Sequence, residues 1–451
     1  MARNRVPGGL ARALEDYLTQ VGYWQGSRRE THDFVLSPDL CLLSLREQEQ
    51  LDEISRGVRT YLGALEEALK RLSDTSPNDP AWGMFRKFAH AGARNVFAEA
   101  QQRWDVSAPW GGVYTPGVKL DLVRERRGFK IVEIDGWNPR GMTFSPLIDE
   151  LADVVRRMAA AEGCLDESLE APGYGGVIPA MTALLRSRGQ SRLFILVSAK
   201  ESFYRPVYEL FARALRVHGV EVTLFDEGRT SAQQLLARLR EDPTAALYAV
   251  PEMPRSNMDR VLLQGIDDPK RVVFPPKPLW SSKGVLALLT CPPDWARDVF
   301  AQIGYSDEDR LQLAQHVPRT WFPSASDRLP LIKAVHSSGS HGVTFPDASM
   351  ASYMETHERL TRGRMTLDQV FQELASLKHV RYRYFTQEGH VVKASDFRER
   401  LIVHVAGCRA LADAIDNGSD GVLDADITAR RDDNVHGQAD ALMLQAVRSS
   451  R

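Results

Sequence analysis

The first hundred residues show the apolar periodicity of amphipathic helices. Apolar side chains recur at steps of three and four residues, which places them on one helical face. The clearest run comprises Leu51, Ile54, Val58, Tyr61, Leu62, Leu65, Leu69 and Leu72. A polar loop over 73–80 ends this helix, and a second helical pattern continues as far as Phe97. The sequence therefore predicts an N-terminal helical region over 1–108.

Strand-like patterns begin after residue 109. Residues 119–123 and 129–134 predict an antiparallel hairpin, and a helix over 146–160 follows. We assign this part to a segment that ends at 188. Residues 189–280 then alternate between strands and helices, which predicts a small parallel sheet covered by helices. Its predicted strands are 193–197, 220–224 and 245–250, and its predicted helices are 203–218 and 231–240.

The last predicted segment, 281–451, has a mixed pattern. It contains predicted helices at 283–289, 294–316 and 366–377, and predicted strands at 331–335, 380–385 and 401–405. The polar, glycine-bearing stretch over 416–433 predicts a mobile loop. The fold class expected from this alternation is α/β, with some α+β character.

Composition narrows the class of partner. The 451 residues include 57 Lys and Arg against 59 Asp and Glu, which argues against binding nucleic acid or membranes through bulk positive charge. Four widely spaced cysteines form no CxxC pair, as is typical of reduced thiols. The first residues lack the apolar core of a signal peptide, and no run of about 18 apolar residues appears. We therefore expect a cytoplasmic location.

The stretch that begins at Lys333 carries the strongest chemical signal. A short apolar strand places Lys333 before a loop of glycines and hydroxyls, whose backbone N–H groups can surround an anion. This pattern predicts a phosphate site, and the alternative is a lysine that extends into solvent. Lys283 opens an apolar helix, where it is either an ordinary residue of the first turn or a contact to a phosphate that offsets its unfavourable charge. The predicted phosphate-binding loop residues are Ser337, Ser338, Gly339, Ser340 and Gly342.

Two carboxylates alternate along the strand that ends near 135. Glu133 and Asp135 face the same side of that strand, where they repel each other unless a cation lies nearby. Magnesium commonly takes one or two carboxylates together with substrate phosphates, so the pair predicts a magnesium site, to which Asn138 adds a neutral oxygen. The alternative is a structural ion pair with Arg124 or Arg140.

Several arginines are candidates for anion recognition. Asp396 and Arg398 lie on one face just before a predicted strand, and they form either a local salt bridge or an arginine contact to a transferring phosphate. The second interpretation makes Arg398 catalytic, together with Lys333. Arg140, Arg205 and Arg255 are candidate clamps for a substrate carboxylate, because guanidinium binds carboxylate in bidentate fashion. Each is also compatible with an ordinary surface position.

Taken in order, these residues resemble ATP-grasp ligases of the circularly permuted kind, represented by eukaryotic-type glutathione synthetase and, in a related arrangement, by the glutathionylspermidine synthetases. The resemblance covers residues 110–445. Glu133 matches the glutamate of a magnesium-binding Glu-x-Asn element, and Asp135 stands where asparagine is usual. Lys283 and Lys333 match the two nucleotide lysines of that family.

Two further segments carry the resemblance. Residues 384–388 resemble the hinge strand that holds adenine, which implies that Gln387 and Glu388 contact the nucleotide, and 370–373 is a second candidate. Met253-Pro254-Arg255 is similar to a segment near the peptide substrate. The loop after Lys333 carries serines where glutathione synthetases have a glutamate and three consecutive glycines, so the resemblance does not imply glutathione as product.

The resemblance implies an ATP-grasp fold with an inserted α/β substrate domain. The predicted boundaries are 1–108 for the helical region, 109–188 for the first ATP-grasp part, 189–280 for the substrate domain and 281–451 for the nucleotide-binding region. It also implies an ATP- and Mg²⁺-dependent ligase that joins a small-molecule carboxylate to an amine through an acyl phosphate. A small-molecule kinase and a non-catalytic nucleotide-binding protein stay open as alternatives. A homodimer is the default assembly.

Overall fold

The structure is a computed structural model. The described residues are 7–23, 34–35, 38, 41–72, 74–76, 78–96, 117–136, 142–163, 177–249, 261–262, 265–274, 278–324, 329–335, 343–344, 346, 350–362, 366–376, 379–385, 392–406, 422–431 and 441–448. These residues form a mixed α/β structure, as the sequence predicts.

The α-helices of the described part are α1 Leu10–Gln20, α2 Leu45–Arg71, α3 Pro80–Val96, α4 Ser145–Ala161, α5 Val177–Ser187, α6 Arg205–Val217, α7 Ala232–Glu241, α8 Gly284–Thr290, α9 Asp294–Ile303, α10 Asp307–Ala314 and α11 Met350–Arg362. The strands are β1 Phe34–Val35, β2 Cys41–Leu43, β3 Gly117–Glu125, β4 Gly128–Asp135, β5 Arg192–Val197, β6 Glu221–Asp226, β7 Ala245–Ala249, β8 Thr320–Trp321, β9 Leu331–Ala334, β10 Val343–Thr344, β11 Gln369–Gln372, β12 His379–Phe385, β13 Val392–Ala406, β14 Val422–Arg431 and β15 Ala441–Arg448. Among the described residues, none of the helices combines the length and the hydropathy of a membrane span.

The largest sheet is organised around β13. The strand order is β1-β15-β14-β13-β3-β4, with β12 also paired to β13 and β2 to β15. One edge of β13 pairs with β14, while β12 and then β3 occupy its other edge in succession. The predicted hairpin is confirmed, because β3 and β4 pair antiparallel. This arrangement places the acidic strand β4 at the edge of the sheet.

A second sheet carries the other half of the candidate site. It has the order β10-β9-β11-β8, and its pairs are antiparallel. Helix α11 covers one face, where Tyr353 and Leu360 pack against Ile332 and Phe371. Lys333 lies on β9, a central strand of this sheet, with Val343 and Val370 as its neighbours on β10 and β11.

The predicted parallel sheet is confirmed. Strands β6, β5 and β7 pair in parallel, in that order. Alternate residues of β5 enter two different apolar clusters: Leu193 and Ile195 pack with α5 and α6, and Phe194 and Leu196 pack with α7. Burial on both faces explains why the sequence of β5 is a continuous apolar run.

One apolar core unites the N-terminal helices with the site segments. The predicted helical face of α2 is buried, and it shares a core with side chains of α3, β3, β4 and α8. The Tyr61 hydroxyl on α2 donates a hydrogen bond of 2.6 Å to the carbonyl of Val285. A Cβ added at Gly284 would lie 2.5 Å from a ring carbon of Phe88 on α3, so glycine permits this close approach. The predicted domain boundaries stay predictions.

Several local predictions are wrong. Residues 369–372 form β11 instead of a helix, because Val370 and Phe371 are fully buried between β9 and β8. The predicted mobile loop contains β14 over 422–431, whose polar and apolar residues alternate with the period of a strand. The helical region 294–316 divides at Gly304, whose φ of 78° ends α9. The sequence analysis predicts no strand over 441–448, where the structure has β15.

Candidate functional site

The hairpin β3–β4 places four charged side chains in register. Asp121 lies opposite Glu133, and Lys119 lies opposite Asp135. Directly opposed residues of an antiparallel pair project to the same face, so these four side chains share one side of the sheet. The Lys119 ammonium lies 3.7 Å from the nearest carboxylate oxygen of both Asp121 and Asp135.

A β-bulge shapes this part of β4. The register advances one residue on β3, from Asp121 to Leu122, while it advances two on β4, from Glu133 to Ile131. Val132 is therefore the extra residue of the bulge. Its carbonyl accepts a hydrogen bond of 3.3 Å from the ammonium of Lys333. The bulge thus joins the acidic strand of one sheet to the lysine of the other.

Backbone hydrogen bonds bring the segment of Lys283 to the same place. The N–H of Gly136, just after β4, donates to the carbonyl of Trp280 at 3.0 Å. The N–H of Lys283 donates to the carbonyl of Val335, just after β9, also at 3.0 Å. The start of α8 is therefore fixed between the ends of the two strands that carry Glu133 and Lys333.

Lys283 and Glu133 form an ion pair. The ammonium lies 3.2 Å from Oε1 of Glu133 and donates a hydrogen bond to it. The lysine side chain is 4% exposed and the glutamate side chain is 29% exposed. A buried ammonium needs such a partner, because removal from water disfavours the charged form. Lys283 is thus a buried, paired lysine at the start of α8.

Lys333 is buried beside this ion pair. Burial lowers the pKa of its ammonium to about 8; the charge of Glu133 opposes this change, that of Lys283 adds to it, and that of Asp121 opposes it. The alternative interpretation, a lysine that extends into solvent, is therefore wrong. Two lysines and two carboxylates interact at this place.

Asp121 and Lys119 are the site residues that the sequence reasoning missed. The sequence pattern of 119–123 predicts only a strand that pairs with 129–134. Asp121 is 3% exposed and its charge raises the pKa of Lys333, which places it among the site groups. The available signal was the alternation of Lys119 and Asp121 on the strand opposite Glu133 and Asp135, and it needed the register of the hairpin to be recognised.

Glu133 and Asp135 form ion pairs with lysines, and Arg124, one of the two arginines considered as their partner, pairs elsewhere. Arg124 contacts Glu47 on α2 at 3.1 Å and packs over the ring of Phe129, and these contacts place it in a separate ion pair. Among the described residues, Lys283 and Lys333 lie beside Glu133, and Lys119 lies beside Asp135. The acidic strand is thus compensated by lysines.

Arg398 lies inside β13 and not before a strand as predicted. Its register neighbours are His379 on β12 and Arg430 on β14. The second candidate for the adenine hinge, 370–373, overlaps β11, which pairs with the strand of Lys333. Arg205 is the first residue of α6 and forms ion pairs with Glu209 and Asp226. The remaining predicted site residues lie outside the described part of the chain: Asn138, Arg140, Arg255, Ser337, Ser338, Gly339, Ser340, Gly342, Gln387 and Glu388.

The chemical groups at this place, ammonium and carboxylate, are those that bind a magnesium nucleotide. Buried ammonium groups are partners for phosphate, and carboxylate oxygens are ligands that magnesium prefers. Asp121 and Glu133 are opposed carboxylates beside Lys283 and Lys333, so both kinds of group lie together. Among the described residues, no three Cys, His, Asp or Glu side chains are placed to hold a metal by themselves. A cation here would therefore need further oxygens, such as those of a phosphate.

Comparison with known proteins finds a similar structure and no match by sequence. No family model and no curated protein matches the sequence. A glutathione synthetase-like effector from Globodera pallida, solved in its apo form, is similar over 98% of each chain, with a TM-score of 0.62 and 12% identity. A putative gamma-glutamylcysteine synthetase from Methylobacillus flagellatus KT matches 82% of this chain and 88% of its own, with 11% identity and a TM-score of 0.30 that does not establish a common fold. The chain therefore shares its overall fold with the effector from Globodera pallida.

Proposed function

We propose that the chain is an ATP-dependent carboxylate–amine ligase. It would form an amide or peptide bond through an acyl phosphate and release ADP and phosphate. The observation that supports this most directly is the convergence of Glu133, Lys283 and Lys333 from three distant segments. The fold shared with a glutathione synthetase-like effector is consistent with it.

The site residues divide into two roles. Lys283 and Lys333 would contact the phosphates of ATP, together with the serines and glycines of 337–342. Glu133 and Asp135, with Asn138, would hold Mg²⁺, and Asp121 is a further carboxylate in reach of the same face. Bound MgATP supplies the phosphoryl group that activates the substrate carboxylate. Arg398 would stabilise the charge of that group.

Catalysis in such a site depends on charge neutralisation and positioning. In phosphoryl transfer the protein need not form a covalent bond with the substrate. It aligns the reacting groups and neutralises their negative charge. Two buried ammonium groups in a water-poor place supply this compensation more strongly than exposed lysines would. Arg140 and Arg255 stay candidates for holding the substrate carboxylate, and the amine would then displace phosphate from the activated acid.

The deciding experiment measures product formation. The protein is incubated with ATP, Mg²⁺ and pools of amino acids, other carboxylic acids and amines, and ADP, phosphate and new amide masses are recorded. We expect one acid–amine pair to give equal amounts of ADP, phosphate and amide. Lys333→Met is expected to abolish the reaction, and Arg398→Gln to lower kcat while nucleotide binding persists.

Other outcomes select the alternatives. Formation of ADP with a stable phosphorylated product, and without any amide, would identify a small-molecule kinase. Nucleotide binding without turnover in every pool would favour a non-catalytic nucleotide-binding protein. Failure to bind adenine nucleotide, with or without Mg²⁺, would overturn the proposal altogether. The homodimer and the cytoplasmic location stay predictions.

A further inference from the structure

We propose that Gln50, on helix α2, is a positioning residue for Glu133. Together with His316 it holds the outer edge of β4, and it thereby sets where the carboxylate of Glu133 lies. The inference rests on the proposed function, because it concerns the placement of a carboxylate that would hold Mg²⁺. It goes further in that it gives the N-terminal helix α2 a part in the metal site.

The first step of the argument is the contact between Gln50 and the start of β4. Strand β4 is the edge strand of its sheet, so the backbone groups on its outer side need partners from elsewhere. The N–H of Phe129 donates a hydrogen bond of 2.9 Å to Oε1 of Gln50, and Nε2 of Gln50 donates one of 3.4 Å to the Phe129 carbonyl. A Cβ at Gly128 would overlap Oε1 of Gln50, so glycine lets the side chain reach this place. The glutamine amide thus takes the position that the peptide group of a neighbouring strand would have.

The second step is that His316 fixes the orientation of the Gln50 amide. Because Oε1 accepts from Phe129, Nε2 faces the imidazole and lies 3.1 Å from Nδ1 of His316. An amide nitrogen can only donate, so Nδ1 accepts, and the proton of the neutral ring is on Nε2, which lies 3.3 Å from the carboxylate of Glu53. The main-chain carbonyl of His316 also accepts a hydrogen bond of 2.7 Å from the N–H of Ile131. Gln50 and His316 therefore hold β4 at two consecutive outward-facing residues.

The third step connects these contacts to Glu133. Ile131 is followed by Val132, the extra residue of the bulge, and then by Glu133. A shift of one residue in the register of β4 would turn Glu133 to the opposite face of the sheet. The contacts described above lie on one side of the bulge, and the hydrogen bond from Gly136 to Trp280 lies on the other. Together they keep the bulge at Val132 and the carboxylate of Glu133 in the site.

Hydrogen exchange in the ligand-free protein tests the placement directly. Gln50→Met preserves the length of the side chain and removes both hydrogen bonds to Phe129. We expect the amides of 131–136 to exchange about fivefold faster in this variant, as measured by mass spectrometry of peptides that cover β4. Gln315→Met is the matched control, because the exposed Gln315 side chain donates at 3.0 Å to Glu53 and not to β4. It should leave the exchange of 131–136 unchanged.

Calorimetric affinities for MgATP separate positioning from general stability. We expect Gln50→Met to weaken MgATP binding about tenfold in the wild-type background. In a Glu133→Gln background the same substitution should change the affinity by less than about twofold, because the carboxylate that it displaces is already gone. His316→Leu keeps the main-chain carbonyl and removes the ring acceptor, so it should change both measurements in the same direction and replaces Gln50→Met if that variant does not fold. Circular dichroism melts of all variants establish that they are folded.

The inference is overturned by either of two results. They are unchanged hydrogen exchange over 131–136 in Gln50→Met, or the same change in MgATP affinity, including none, in the wild-type and Glu133→Gln backgrounds. Both results leave the proposed function intact if the wild type binds MgATP. Absence of MgATP binding in the wild type would instead overturn the proposed function, and hydrogen exchange would still decide whether Gln50 holds β4.

Discussion

Replacement of Lys333 by methionine should stabilise the fold while it removes nucleotide binding. Methionine fills a similar volume without a charge, and Lys333 is a buried residue on a central strand. Burial and the adjacent Lys283 disfavour its ammonium, so the folded protein carries this charge at a cost. The same charge is the group that the proposed function needs.

The magnitude follows from the lowered pKa. A fall from 10.5 to about 8 corresponds to about 3 kcal/mol, at roughly 1.4 kcal/mol for each pKa unit. The hydrogen bond from the ammonium to the Val132 carbonyl would be lost, at a cost of about 1 kcal/mol. At pH 7 we therefore expect Lys333→Met to raise the free energy of unfolding by roughly 2 kcal/mol.

The pH dependence gives this prediction a distinct signature. Between about pH 8 and pH 10.5 the unfolded chain still holds the Lys333 proton, while the folded chain has released it. Wild-type stability should therefore rise through this window relative to the variant, and the difference between the two should shrink. Below pH 8 the full difference is present.

Urea titrations at pH 7, 9 and 10 measure the difference. Lys87→Met is the control, because Lys87 is exposed on α3, and its effect should stay within about 0.5 kcal/mol. Calorimetry with MgATP should show at least a tenfold loss of affinity for Lys333→Met and none for Lys87→Met. A variant less stable than the wild type at pH 7, or a difference that stays constant up to pH 10, would refute the reasoning.

Two further predictions concern the support of Lys283 by the N-terminal helices. Gly284→Ala should lower the free energy of unfolding by about 1–3 kcal/mol, because its Cβ would lie 2.5 Å from a ring carbon of Phe88. Gly63→Ala, on α2, should raise the free energy of unfolding by about 0.5–1 kcal/mol, because a Cβ there meets open space and alanine favours the helix. Equal effects of the two alanines in urea titrations would contradict the assigned contact. Tyr61→Phe should cost about 1–2 kcal/mol, because the buried Val285 carbonyl loses its 2.6 Å donor, and a neutral result by the same assay would show that the carbonyl finds another partner.

Elements with a strong local period could be predicted from the sequence. The helical face of α2, the hairpin of β3 and β4, and the parallel sheet around β5 each follow from the spacing of their own apolar residues. Strand β11 could not, since adjacent Val370 and Phe371 are buried by neighbours from distant segments. The spacing of the residues around them matches that of a helix, and tertiary packing overrides this preference.

The same division applies to the candidate site. Glu133, Lys283 and Lys333 were recognisable because each stands beside a local feature, a strand end, a helix start or a glycine-rich loop. Asp121 and Lys119 were not, since their place depends on the register across the hairpin and on the bulge at Val132. The roles assigned to all five residues stay predictions.

The shared core between the N-terminal helices and α8 bears on how inactive variants should be interpreted. Tyr61 and Phe88 are distant in the chain from Lys283, yet they contact the residues that follow it directly. A screen for lost activity would therefore recover substitutions at these aromatic positions as if they marked a second reaction centre. Such hits need a melting temperature beside each rate, so that a displaced scaffold is not mistaken for missing chemistry.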